Sequence, residues 1–135
     1  MAEAIARRLI EESGRTDIEV ESAGTQAWDR SPASDEALLV GVERNIDLSG
    51  HRARRLTAEI MRAADLVLVM SPSHLADVRE IDPDANVHLL AGYGTPGSKG
   101  HAIADPFGGN LEDYRATADE LEHELKEILE RIPAA

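Results

Sequence analysis

Three stretches of the 135-residue sequence carry residue types that could do chemistry. The first is Asp105-Pro106-Phe107-Gly108-Gly109. Proline fixes its own φ and drives the residue before it into extended geometry, so the Asp105 carboxyl is held in a defined direction. Two readings fit it. One is an ordinary turn with an acid near a helix N-terminus, where negative charge is favoured; the other is a general acid over a pocket walled by Phe107. Spacing does not choose between them. The second stretch, Ser22-Ala23-Gly24-Thr25-Gln26-Ala27-Trp28, puts the only tryptophan of an aromatic-poor chain on a polar loop. Trp28 either lies over a helix edge or lines a site, and the polar flanks offer it little to pack on. The third, Leu48-Ser49-Gly50-His51-Arg52-Ala53-Arg54, centres on His51. A lone histidine is more often a structural hydrogen-bonder than a catalyst, and no Asp and nucleophilic Ser stand at a recognisable spacing from this one.

Other chemistries find no pattern. His74, His88, His101 and His123 are scattered singly and give no metal-ligand pattern, so no metal is expected. There is no Gly-rich phosphate-binding fingerprint between a strand and a helix. The sequence has no cysteine, which removes disulfides, thiolate metal sites and any cysteine nucleophile within it.

The elements that must position these residues read as an alternation. Ala2, Ile5, Ala6, Leu9 and Ile10 recur at helical spacing, with Gly14 as a stop. Residues 17–24 alternate and end in a glycine turn, a strand signal. A helix over 34–44 follows, with Asn45 as its left-handed stop. Thr57 caps a short helix over 58–63, and 65–70 is an apolar run of the kind buried in parallel sheets. Ser71-Pro72 opens a helix to about Glu80, and 86–90 forms a third strand. Residues 91–104, with four glycines and a proline, read as a loop. The last helix carries Leu111, Tyr114, Ala118, Leu121, Leu125, Ile128 and Ile132 in steps of three and four, capped by Asn110 with Pro133 beyond its end.

This order predicts an α/β fold, a parallel sheet with helices on both faces, in a single domain spanning 1–135. Ligands in such folds sit beyond the carboxyl ends of the strands, here residues 22–31, 71–74 and 91–110, which take in the first two stretches, while 48–56 reads as a connecting segment. Three strands are few, and the first helix has neither a capping residue nor a strand entering it. A crossover helix so placed implies a strand before Met1.

The formal charge is -12, from 26 acidic against 14 basic residues, which disfavours nucleic acid and anionic lipid. The one dense basic cluster, residues 51–55, reads as a solvated Arg-rich turn. No apolar run is long enough to span a bilayer, and no export signal is visible.

Together the segments MAEAIARRLIEE, VESAGTQAW, SPASDEAL, IDLSGHRARRLT, ADLVLVMSPSHL, ADPFGG and YRATADELE resemble the low-molecular-weight protein tyrosine phosphatases in the right order over the whole chain. The DPFGG form and the helix after it look most like the bacterial branch that includes protein arginine phosphatases. The resemblance implies a cytoplasmic phosphatase, monomeric, acting without a cofactor on a phosphorylated protein, phosphotyrosine or phosphoarginine, through a phosphocysteine. It implies that Asp105 protonates the leaving group and then activates water, that Trp28 and Phe107 wall the pocket, and that Ser22 and His51 brace the phosphate loop. The sequence departs from the family at its front. The family's first strand and its Cys-x5-Arg loop are missing, so the expectation is a chain starting at an internal methionine, lacking the central strand and inactive as it stands. A phosphatase-like binding or regulatory module is the alternative from another class. An arsenate reductase relative needs redox cysteines that the chain does not have.

Overall fold

The computed structural model describes residues 1–24 and 32–133. Helix α1 (Ala2–Glu12) buries Ile5, Ala6, Leu9 and Ile10, and no side chain caps its first turn. Helix α2 (Asp35–Glu43) begins at Ser34, whose hydroxyl accepts the Ala37 amide, and the chain leaves it through Asn45 at φ 59°. Thr57 caps α3 (Ala58–Ala63) through the Ile60 amide. Strand β1 (Val67–Val69) leads to α4 (Pro72–Ile81), capped by Ser71 with proline in its first turn. Strand β2 (Val87–Leu89) is followed by a four-residue helical turn, α5 (Leu90–Tyr93), and the domain ends with α6 (Leu111–Arg131). Asn110 and Asp113 form a reciprocal capping box at the start of α6.

β1 and β2 pair in parallel, with Val67, Leu68 and Val69 opposite Val87, His88 and Leu89. Successive residues of β1 enter different clusters, as the period of two requires. Val69 joins Met61, Val78 and Val87 between α3, α4 and the sheet, and Val67 packs beside them. Leu68 and Met70 pack against the larger cluster, built by Ile5, Leu9, Val40, Tyr114, Leu121 and Leu125 from α1, α2 and α6, with Leu90 of α5 and Ile103 from the segment before α6. Arg15 joins the far ends of α1 and α6. Its guanidinium donates to the carbonyls of Leu129, Ile132 and Pro133 and pairs with Asp17, satisfying acceptors that a helix end leaves open.

Two expected elements differ. Residues 17–22 form no strand; the first pairing comes at Gly24, which bridges Arg55 in parallel. Alternation marks residues able to form a strand, but a ladder needs a neighbouring backbone. Here side chains take that place. Arg7 donates to the Val20 carbonyl, Glu3 accepts from the Ser22 amide, and Arg54 donates to the Ser22 carbonyl. The expected loop over 91–104 begins with α5 and folds back so that Ala91 bridges His101. Gly92 makes that reversal at φ 97°, its amide held by the buried Glu124 carboxylate at 3.0 Å. No helix among the described residues is long and apolar enough to cross a membrane.

Candidate active site

The apolar run of β1 ends at Met70, whose carbonyl accepts the Ile103 amide at 2.8 Å. That bond sets the connection into α6 at the carboxyl end of the strand, and Asp105 follows two residues later. Its carboxylate Oδ1 accepts the Phe107 amide at 3.0 Å, an Asx turn that Asp-Pro geometry favours. Gly108 at φ 83° and the bond from the Gly109 amide to the Pro106 carbonyl at 2.8 Å complete the turn into Asn110. Asp105 is exposed and Phe107 is 81% exposed, so this ring contributes nothing to the core. A carboxyl and an aromatic face are thus offered to solvent from one short, internally bonded turn.

Ser22 and His51 come together elsewhere, around the first turn of α1. Glu3 Oε1 accepts both the Ser22 amide at 2.8 Å and the Ser22 hydroxyl at 3.2 Å. With its hydrogen committed to Glu3, the Ser22 oxygen faces any further group as an acceptor. His51 and Glu3 line a cleft of about 590 Å³ that also takes in Arg7, Arg52 and Arg54. Burial, ahead of the positive amino terminus, holds His51 below the ordinary imidazole value; the Glu3 charge opposes this, and Arg52 and Arg54 add to the lowering. Arg52 is occupied by its own loop, donating to the Ser49 and His51 carbonyls.

The five residues singled out from the sequence therefore fall into separate places. Asp105 and Phe107 share the turn before α6, and Ser22 and His51 share Glu3 as a neighbour. Among the described residues no hydrogen bond or ion pair joins one pair directly to the other. Trp28 lies outside the described residues. Glu3 and Arg54, which hold Ser22, were not legible as site residues. An acid in the first turn of a helix is explained by the helix dipole alone, and an arginine in a basic turn by solvation. Among the described residues no group of three or more acidic or histidine side chains is placed to hold a metal ion.

Comparison with known proteins supplies what this geometry leaves open. The family model of the low molecular weight phosphotyrosine protein phosphatases matches residues 1–135. A protein-arginine-phosphatase of Bacillus subtilis (strain 168) is 36% identical over 137 residues, an alignment covering 98% of this chain and 87% of the relative. Among solved structures, a mutant of the YwlE arginine phosphatase with a phosphorylated active-site serine superposes with a TM-score of 0.89 at 35% identity, over 96% of this chain and 84% of that one. The low molecular weight protein tyrosine phosphatase from T. tengcongensis gives a TM-score of 0.87 at 35% identity, over 97% of this chain and 88% of that one. Over its whole length, this chain belongs to the low molecular weight phosphotyrosine protein phosphatase family.

Proposed function

We propose that this chain has the fold of a single-domain protein phosphatase acting on phosphoarginine or phosphotyrosine in proteins, and that its 135 residues do not turn over substrate by themselves. The observation that carries the reading is family membership along the whole chain together with a cysteine count of zero. Likeness to a protein-arginine-phosphatase favours phosphoarginine as the substrate group.

In the proposed reaction a cysteine thiolate, absent from these residues, attacks phosphorus in line. The bond to the leaving oxygen or nitrogen breaks, and Asp105 gives that atom its proton. The Asp105 carboxylate then takes a proton from water as the water displaces sulfur, releasing phosphate and restoring the thiolate. Phe107 and Trp28 wall the pocket, while Ser22 and His51 support the phosphate-binding loop from the α1 side. The fold we propose for the active form is three-layered, with helices on both faces of a parallel sheet whose central strand runs between residues 18–22 and β1. Support comes from the alternate residues of β1 entering two clusters and from the side chains that stand in for a ladder along 18–22.

The test is hydrolysis of an aryl phosphate and of a phosphoramidate. The 135-residue chain should give no turnover. Joined to a strand and Cys-x5-Arg loop of the family, it should turn over, and Asp105→Asn should cut the rate by ~10²–10⁴-fold, most for the poorer leaving group. Turnover by the chain alone that Asp105→Asn abolishes would overturn the reading. The missing cysteine also favours a second reading, a phosphatase-like binding module. A joined form that folds cooperatively yet stays inert, beside a 135-residue chain that itself melts cooperatively, would favour it.

A further inference from the structure

Tyr114 is a buried phenol, 4% exposed, inside the main apolar cluster. Its hydroxyl oxygen accepts a hydrogen bond from the Ser34 hydroxyl at 3.2 Å, and Ser34 in turn accepts the Ala37 amide at 3.3 Å as the cap of α2. One bond therefore joins the first turn of α6 to the first residue before α2. On the α6 side, Asn110 and Asp113 lock the helix start to the turn that carries Asp105 and Phe107. On the α2 side, Pro32 lies two residues before Ser34 and bridges Arg52, the neighbour of His51. The two halves of the candidate site share no direct bond, yet Tyr114 and Ser34 connect their supports through a short chain of hydrogen-bonded backbone.

We propose that the Tyr114–Ser34 hydrogen bond couples the turn that carries Asp105 to the α2 support of the His51 side, and so holds the two halves of the site in one relative position. Tyr114 is a positioning residue, acting through the turn and touching no reacting atom. An apolar side chain would fill the same volume. The phenol adds a directional contact that a sliding apolar interface lacks, because a hydrogen bond weakens steeply with distance and angle. The inference rests on the reading of Asp105 as proton donor, but its test involves no turnover, so either can fail without the other.

The test is amide hydrogen exchange by NMR on the 135-residue chain and its Tyr114→Phe variant, which keeps the ring and removes the acceptor. The amides of Ala37, Phe107, Gly109 and Asp113 should exchange about three- to tenfold faster, the effect of losing one net hydrogen bond, while that of Val78 in α4 stays unchanged. Ser34→Gly, tolerated at a helix cap, should reproduce the pattern if Tyr114→Phe does not fold. Ser34→Thr, which keeps the hydroxyl, should stay within about twofold of the parent. Equal acceleration in α4 would reduce the bond to a general stabiliser. Acceleration on one side only, none on either, or a Ser34→Thr variant as labile as Tyr114→Phe would each overturn the proposal.

Discussion

Replacing Gly109 with alanine tests how firmly the turn that carries Asp105 is locked to α6. A Cβ there would lie 2.5 Å from Asp113 Oδ2 and 2.9 Å from the Pro106 carbonyl oxygen. Both oxygens are engaged. Asp113 Oδ2 accepts the Asn110 amide at 3.0 Å, and the Pro106 carbonyl accepts the Gly109 amide at 2.8 Å. The methyl group therefore gains room only if Asp113 abandons Asn110 and the turn opens. Losing that half of the capping box costs about 1 kcal/mol, and crowding a backbone oxygen adds about 1–2 kcal/mol. Gly109→Ala should thus lower the unfolding free energy by about 2–3 kcal/mol, a midpoint shift of roughly 6–12 °C for a domain of this size. Urea denaturation of Gly109→Ala, Asp113→Ala and the double variant measures it. Asp113→Ala removes both that half of the capping box and the closest clash, so the two substitutions should couple by about 1 kcal/mol. A cost below about 0.5 kcal/mol, or the same cost in both backgrounds, would refute the packing argument.

Two further outcomes follow from one buried and one partly buried polar group. Glu124→Ala should destabilise by about 1–3 kcal/mol in urea titrations, because it strands the buried Gly92 amide; Glu124→Gln, which keeps an acceptor oxygen, should recover most of the loss. His51 sits below its ordinary value of 6.5 when folded, so the unfolded chain binds that proton more readily. Its contribution is fully present above 6.5 and is lost as pH falls through the lower folded value. The stability difference between wild type and His51→Asn should therefore shrink or reverse on going from pH 7.5 to about 5.5, and a difference independent of pH would contradict the lowering ascribed to partial burial of the imidazole.

The helices were legible because their signals are local. Ser34, Thr57, Ser71 and Asn110 each cap the helix they precede, and Asn45 takes the left-handed conformation expected after α2. The Asp105-Pro106 turn was equally readable, since proline constrains its neighbour without help from the fold. The family was legible from motif order, which the match over residues 1–135 repeats. The elements that differed depend on partners distant in sequence. Residues 17–22 have strand character but hang on Glu3, Arg7 and Arg54, and α5 turns where Glu124, thirty-two residues on, captures an amide.

By itself, then, the sequence determined the helices other than α5, the caps of α2, α3, α4 and α6, the turn that holds Asp105, the absence of a thiol and the family. Each of these depends on residue identity or on contacts within one turn of chain. Only the tertiary structure decided that Ser22 is bound to Glu3, that Gly92 turns upon Glu124, and that Tyr114 meets Ser34. Those contacts join residues 19, 32 and 80 positions apart. Their geometry is set by how α1 and α6 pack around the sheet, and no pattern of side-chain types along the chain records it.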